Sequence, residues 1–176
     1  VATLSRGYRR KTKGFMLVHP KNSAEGVGDE PLQFKRKFPD VLVAVGESRT
    51  MAIPEIMSKA PATQLILLDD AFQHIAIKPS LNILLTEYDH PFSEDYLLPS
   101  GRLREWRSAY RRADTIIITK CPFELSVEAK NTILQKVQPL PSQQVFFSYY
   151  QYGNPYYIFN PKYVGKLVKD VDVLLI

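Results

Sequence analysis

Short apolar runs recur along the first 120 residues and predict a series of buried strands. Within each run the apolar character is nearly continuous, which is typical of strands covered on both faces of a parallel sheet. A sheet of this kind is usually built from strands that alternate with helices. The predicted strands are residues 1–4, 15–18, 41–45, 65–68, 81–85 and 115–119.

Three segments between or after these runs have the features of helices. Residues 29–37 carry a proline in the first turn, and residues 126–137 begin with Ser126 as N-cap and Glu128 early in the helix. Residues 48–58 form the third segment, with Ser48 as possible N-cap. There Pro54 is a difficulty unless it marks the true start of the helix. Strands and helices together predict an α/β fold.

The character of the chain changes at residues 139–142, a short proline-rich piece. We therefore predict an α/β core at residues 1–138, incomplete at its N-terminus. Residues 139–176 are expected to supply connecting strands and the start of a second, smaller unit. Aromatic and β-branched residues predict strands at 145–149, 156–159 and 171–176. Both ends of the chain have the pattern of a truncated domain.

Composition places the chain among ordinary globular proteins. Of the 176 residues, 45% are apolar and 23% are charged, enough for one hydrophobic core. No apolar run approaches the roughly 20 residues of a membrane span, and the N-terminus does not have the pattern of a signal peptide. The single cysteine, Cys121, excludes an internal disulfide framework and fits a reducing compartment.

The net charge of +5 comes from basic residues that are clustered rather than dispersed. Such clusters suit phosphate groups, an anionic membrane surface or nucleic acid. The alternative is a mildly basic surface that only contacts water. The clusters lie at residues 6–13, 35–37 and 102–112.

Two adjacent carboxylates, Asp69 and Asp70, directly follow the predicted strand 65–68. In open α/β sheets ligands bind beyond the carboxyl ends of the strands. Carboxylates at such a strand end hold Mg²⁺ in many nucleotide-binding proteins. Gln73 and His74 follow closely enough to reach the same pocket. The alternative is that one aspartate caps a turn and the other is solvated.

Two further stretches carry candidate chemistry. In Gly26–Pro31 the carboxylate of Asp29 stands where a helix begins, and it could accept a proton from a hydroxyl nucleophile. In Leu98–Glu105 a turn with proline and glycine presents arginines, which bind phosphate oxygens in a bidentate way. The alternatives are an N-capping aspartate and a surface loop with paired Arg and Glu. The polar pair Thr119 and Lys120 ends another strand and is a weaker candidate for nucleotide contact.

Taken together and in order, these motifs resemble those of the tetraacyldisaccharide 4'-kinase family. The resemblance is strong from residue 1 to about residue 122 and loose beyond. The stretches that carry it are Ser5-Arg6-Gly7-Tyr8, Val27-Gly28-Asp29-Glu30-Pro31, Asp69-Asp70-Ala71-Phe72-Gln73-His74, Leu98-Pro99-Ser100-Gly101-Arg102-Leu103-Arg104-Glu105, Arg112-Ala113-Asp114 and Thr119-Lys120.

The resemblance implies a P-loop NTPase-like fold with a largely parallel sheet and helices on both faces. It implies an enzyme that uses ATP and Mg²⁺ to phosphorylate the 4'-hydroxyl of tetraacyldisaccharide 1-phosphate. The product would be lipid IVA, an intermediate of lipid A biosynthesis in Gram-negative bacteria. The implied partners are this lipid disaccharide and the cytoplasmic face of the inner membrane, with no nucleic acid.

The resemblance also implies roles for individual residues. Asp29 is expected to act as the general base on the 4'-hydroxyl. Asp69 and Asp70 are expected to be the catalytic carboxylates that hold Mg²⁺. Further active-site positions, with the arginines as the phosphate contacts, are Arg6, Gln73, His74, Arg104 and Glu105.

The chain departs from the family pattern in several ways. It contains no Gly-x-x-x-x-Gly-Lys-Ser/Thr loop, which in the family precedes the strand matching residues 1–4. A histidine that partners the catalytic aspartate in the family would lie beyond Ile176. We therefore expect an internal piece of the kinase that is inactive by itself. Arg9 and Ile75 replace residues common in the family, which weakens any basic contact at position 75.

The competing interpretation is a non-catalytic module that binds acidic lipid or nucleic acid through its basic clusters. Such a module would bind less tightly as salt increases, and its binding would not require Mg²⁺.

Overall fold

The computed structural model describes residues 1–153, together with the backbone at 156–157 and 160–164. The chain divides into two compact units, one formed by Val1–Leu84 with Tyr96–Thr115 and the other by Leu85–Asp95 with the chain from Ile116 onward. The boundary expected from the sequence at residue 138 stays a prediction. The elements are β1 (Ala2–Ser5), β2 (Met16–Leu17), α1 (Ala24–Val27), α2 (Asp29–Lys37), β3 (Leu42–Val45), α3 (Arg49–Lys59), β4 (Ile66–Leu68), β5 (Ile83–Glu87), a 3-10 helix (Arg107–Arg112), β6 (Thr115–Thr119), α4 (Val127–Val137), β7 (Gln144–Phe147), β8 (Tyr156–Tyr157) and β9 (Asn160–Val164).

A four-stranded sheet in the order β2-β3-β1-β4 forms the centre of the first unit. β1 pairs in parallel with both β3 and β4, so that Ala2 lies opposite Leu42 on one side and Ile66 on the other. Only β2 runs antiparallel to its neighbour, β3. The largely parallel sheet predicted from the apolar runs is confirmed here. Consequently, the carboxyl ends of β1, β3 and β4 lie at one edge of the sheet.

Helices cover both faces of this sheet, as alternate residues of β3 show. Ala44 packs in a cluster with Ala52 and Ile56 of α3. Its neighbours Val43 and Val45 point to the opposite face and pack with Leu32 of α2 and with other apolar side chains. Since successive residues of a strand face opposite sides of the sheet, α2 and α3 lie on different faces. The predicted α/β class is confirmed.

The predicted helices are present, with one correction. α2 has the predicted bounds, and α3 begins immediately after its N-cap Ser48. Pro54 does not start a helix, because it lies inside α3. The proline removes the hydrogen bond that the Thr50 carbonyl would otherwise accept. Both residues are exposed, so water can solvate that carbonyl. The short helix α1 and the 3-10 helix were not predicted.

The second unit contains a three-stranded sheet in the order β5-β6-β7. Its buried side chains include Ile116 and Ile118 of β6, and Ile133 of α4. Ser126 is the N-cap of α4, where its hydroxyl accepts a hydrogen bond of 3.1 Å from the Ala129 N–H. The strand predicted at 171–176 lies outside the described residues. Within the described part of the chain, no helix combines the length and the apolar character needed to cross a bilayer.

Candidate active site

The acidic pair lies at the carboxyl end of β4, next to β1. The backbone N–H of Asp69 donates a hydrogen bond of 3.0 Å to the carbonyl of Leu4. Asp69 is half-buried, whereas Asp70 is exposed and has a φ of 44°. This left-handed conformation is uncommon outside glycine, and aspartate is among the residues that tolerate it. The chain therefore turns sharply between the two carboxylates, at the strand end where the sequence predicts a ligand.

The two carboxylates form an acidic site that a cation would stabilise. Burial raises the pKa of Asp69 above its ordinary value, and the charge of Asp70 raises it further, while the Asp70 N–H and Arg49 act in the opposite direction. Mg²⁺ is commonly held by one or two carboxylates plus water and substrate phosphates, so this donor set fits it. Among the described residues, no three or more His, Cys, Asp or Glu side chains are grouped so that they could hold a metal ion.

Asp29 and Glu30 open α2 and lie beside the same acidic site. The Asp29 side chain is exposed and its Oδ1 accepts a hydrogen bond of 3.0 Å from the Glu30 N–H. Burial raises the pKa of Glu30, and the charges of Asp69, Asp29 and Asp70 raise it further. The two acidic segments predicted separately are therefore close enough for the charges of both to act on Glu30. The sequence alone predicts no role for Glu30, although Glu30 stands inside the Val27–Pro31 motif.

Close backbone packing fixes where Asp29 begins its helix. Gly28 has a φ of 93°, and a Cβ added there would lie 3.3 Å from the Cα of Gly7. Gly7 also has a positive φ, 73°, and follows directly after Arg6 in the loop beyond β1. Only glycine allows two backbones to approach so closely in this conformation. The start of α2 therefore packs against the loop that carries Arg6.

Arg49 is a buried arginine that the sequence analysis missed. It is the first residue of α3 and is only 5% exposed. Burial lowers its pKa and so does the charge of Arg6, while the charges of Asp70, Asp69 and Glu47 act in the opposite direction. Its guanidinium thus lies near both the acidic pair and Arg6. A signal was available, since an arginine directly after Ser48 stands just beyond the carboxyl end of a predicted strand.

Two enclosed polar atoms at this sheet edge have no hydrogen-bond partner within the described part of the chain. They are the Nε of Arg49 and the Oγ of Ser5, the last residue of β1. The Nη1 of Arg49 donates only a long hydrogen bond of 3.3 Å to the Glu47 carbonyl. Buried polar groups are nearly always paired in native structures. An anionic ligand with several oxygens would supply the missing acceptors.

Arg104 contacts one carboxylate of the acidic pair, that of Asp70. Its Nη1 donates a hydrogen bond of 2.8 Å to the Asp70 Oδ2, and this bond raises the pKa of Arg104. The two side chains are 60% and 66% exposed, so the ion pair adds little to stability.

The three remaining predicted site residues lie on or beside the turn after Asp70. Glu105 does not contact the acidic pair but accepts two hydrogen bonds, of 2.8 and 3.0 Å, from Arg112. Arg112 in turn donates to the Phe72 carbonyl at 3.0 Å, so Glu105 supports the turn through Arg112. Gln73 is exposed. His74 is half-buried, and its enclosed Nε2 has no partner in the part of the chain described.

Comparison with known proteins identifies the family. The model of the tetraacyldisaccharide-1-P 4'-kinase family matches residues 1–151. The chain belongs to this family. The match extends over the first unit, which contains all predicted site residues except the weaker candidates Thr119 and Lys120, and reaches past α4 and β7 of the second unit.

Curated relatives named tetraacyldisaccharide 4'-kinase support the membership. The one from Flavobacterium johnsoniae is 46% identical over 99% of this chain and 52% of its own length. Its counterpart from Bacteroides thetaiotaomicron is 46% identical over 88% of this chain and 41% of its own. A third, from Phocaeicola vulgatus, is 41% identical over the whole chain and 50% of its own. The chain thus spans about half the length of these family members.

A solved structure of a family member has the same fold. It is described as the "apo" form of LpxK from Aquifex aeolicus in complex with ATP, and it is 31% identical to this chain. The TM-score is 0.65, and the match covers 83% of this chain and 43% of the solved one. The expected P-loop NTPase-like α/β class is therefore confirmed for this member of the kinase family.

Proposed function

We propose that this chain carries part of the active site of an ATP-dependent kinase that phosphorylates the 4'-hydroxyl of tetraacyldisaccharide 1-phosphate, giving lipid IVA in lipid A biosynthesis. The observation that carries the proposal is the convergence of Asp29, Asp69 and Asp70 around Glu30 in a chain of this family. ATP as the phosphate donor is supported by the ATP complex of the solved relative.

In this proposal Asp29 is the general base. Its exposed carboxylate, at the first turn of α2, takes the proton of the 4'-hydroxyl. The hydroxyl oxygen then forms a bond to the γ-phosphorus of ATP, while the bond from that phosphorus to the β–γ bridging oxygen breaks and ADP leaves.

Asp69 and Asp70 would hold Mg²⁺, and the ion would neutralise charge on the transferring phosphate. Three arginines of the same unit, Arg6, Arg49 and Arg104, lie near the pair or near one another. The charges of Arg6 and of the acidic pair act on Arg49, and Arg104 donates a hydrogen bond to Asp70. Guanidinium groups bind phosphate oxygens in a bidentate way, so we assign the arginines to the phosphates of the two substrates. Gln73 and His74 lie on the turn after the pair, and Glu105 supports this turn through Arg112.

We also propose that the protein acts at the cytoplasmic face of the bacterial inner membrane, where an acylated disaccharide is held by its acyl chains. The net charge of +5 favours contact with anionic lipid headgroups. Nucleic acid is not among the proposed partners.

Transfer of labelled γ-phosphate from ATP to tetraacyldisaccharide 1-phosphate, measured with the full-length protein and Mg²⁺, tests the proposal. Asp29→Asn is expected to lower kcat by at least about 100-fold. Asp40→Asn is the matched control, because Asp40 is an exposed aspartate beyond the other end of α2. A native protein without transfer activity, or an Asp29→Asn variant as active as Asp40→Asn, would contradict the proposal.

A further inference from the structure

The loop after β1 contains an arginine that the proposed mechanism does not use. The Arg10 side chain is only 2% exposed, although it lies in a loop between two strands. Its Nη2 donates to the Glu47 Oε1 at 2.6 Å and to the Gly14 carbonyl at 2.5 Å. The Gly14 N–H returns a hydrogen bond of 3.0 Å to the Glu47 Oε2. One buried guanidinium therefore closes the loop and ties it to the segment before α3.

The same loop is tied on its other side to the segment before α2. The Thr12 hydroxyl, which accepts from the Arg10 Nη1 at 3.3 Å, donates to the Gly26 carbonyl at 2.5 Å. The Lys11 N–H donates to the Glu25 carbonyl at 2.7 Å. Both acceptors lie in α1, within five residues of Asp29. The loop thus bridges two segments that are distant in sequence.

The Arg10 side chain also fills the space under Gly7. A Cβ added to Gly7 would lie 2.5 Å from the Arg10 Cδ and 3.1 Å from the Val27 carbonyl oxygen. Gly7 in turn contacts Gly28, the residue before Asp29. Packing and hydrogen bonding therefore connect Arg10 to all three segments that bring charge to the site. These segments carry Arg6, Asp29 and Arg49.

We infer that Arg10 is a positioning residue for phosphate transfer. It acts through Glu47 and the loop to hold Arg6, Asp29 and Arg49 at fixed separations. This inference rests on the proposed function and deepens it, since Arg10 itself is enclosed and does not contact the reacting groups. A base and its phosphate-binding arginines that shift by about 1 Å can lose about 100-fold in rate. The Arg10–Glu47 pair prevents such a shift.

Steady-state kinetics of the full-length protein with ATP, Mg²⁺ and tetraacyldisaccharide 1-phosphate tests the inference. We expect Arg10→Ala to lower kcat by about 10- to 100-fold, with a much smaller change in the KM for ATP. Glu47→Gln should lower kcat in the same direction. The double variant should be no slower than Arg10→Ala, because both changes break one unit. Arg10→Lys should recover part of the rate, since a lysine can still pair with Glu47.

Lys11→Ala is the matched control. It removes an ion pair of the same loop, Lys11 with Glu25, whose side chains are 74% and 72% exposed. Its kcat should change by less than about twofold, because exposed pairs contribute little. Arg10→Ala could lower activity only by lowering the fraction of folded protein. If kcat per folded molecule is unchanged in this variant, Arg10 has a structural role alone and the inference is overturned.

A second measurement separates this inference from the proposed function. If the native protein transfers no phosphate to the lipid, the proposed function has failed, whatever Arg10 does. Hydrogen exchange of the Gly14 and Lys11 amides then still tests the loop. Faster exchange at both amides in folded Arg10→Ala supports the holding role, whereas unchanged exchange refutes it.

Discussion

Asp69 and Arg49 are charged side chains that folding has partly or fully removed from water. Each is stabilised by the charge of the other, yet burial shifts both pKa values toward the neutral forms. A protein without function would gain stability by replacing them with neutral residues. Their presence at the carboxyl ends of parallel strands is what a site for anionic, metal-bound substrates requires.

Asp69→Asn should be more stable than the native protein and nearly inactive. Because the pKa of Asp69 is raised in the folded state, its charge destabilises the fold above that pKa, and the penalty disappears as pH falls through it. Asparagine removes the charge and can still accept the Asp70 N–H. We expect a rise in Tm of roughly 2–4 °C at pH 7 and a loss of kcat of at least about 100-fold. A lower Tm, or retained transfer, would contradict this assignment.

The pKa of Glu47 is shifted in the opposite direction, which predicts that the contribution of Glu47 to stability changes at acidic pH. Burial by itself would raise its pKa, but its own backbone N–H, the charge of Arg10, the Gly14 N–H and the Arg10 hydrogen bond together lower it below 4.5. A lowered pKa stabilises the fold above the unfolded value and ceases to do so as pH falls through the folded value.

The Tm difference between the native protein and Glu47→Gln should therefore shrink as pH falls from 6 to about 3. Thermal unfolding followed by circular dichroism at several pH values measures it. Glu55→Gln, at an exposed position of α3, is the matched control. A Tm difference that stays constant over this pH range would show that the Glu47 charge is not what holds the loop.

At the scale of helices, strands and loops, features set by neighbouring residues could be predicted from the sequence. Features that depend on residues distant in sequence could not. α2 has the bounds that the sequence predicts, because the proline in its first turn is a local signal. Asp69 and Asp70 were predicted as a site because they follow an apolar strand. Arg49 and Glu30 were missed, since their importance comes from neighbours that the fold brings together. Pro54 also shows that tertiary packing can keep a proline inside a helix.

The start of α2 is the element boundary most sensitive to mutation. Gly28 has φ 93° and ψ 151°, a region that is open essentially to glycine alone. Gly28→Ala should destabilise the fold by about 1–3 kcal/mol and lower kcat, because the added Cβ pushes Gly7 and Asp29 apart. Chemical denaturation and phosphate-transfer kinetics measure the two effects.

Gly26→Ala provides the comparison for that variant. Gly26 lies in α1, two residues earlier, and an added Cβ would only touch the Ser23 Oγ at 3.4 Å. We expect its stability and kcat to stay close to those of the native protein. Equal losses in both variants would refute the idea that the Gly7–Gly28 contact positions Asp29.

At the scale of the whole molecule, the excess of basic residues predicts binding to anionic lipid surfaces. With a net charge of +5, this chain should sediment with vesicles containing anionic phospholipid more than with neutral vesicles. Binding should weaken as salt is raised from about 50 to 300 mM, where the Debye length shortens. Equal binding to both vesicle types would contradict an electrostatic contribution, and tighter binding to duplex DNA would favour the competing anion-binding module.

The Arg10–Glu47 pair also bears on how members of this family can recombine. Its two residues are 37 positions apart, and β2, α1, α2 and β3 lie between them. A crossover anywhere in that interval joins the arginine of one parent to the position 47 of another. Chimeras made between parents that differ at either position should therefore fold yet lose turnover. Crossovers outside the interval should inherit the pair intact, so functional chimeras should be richer in those junctions.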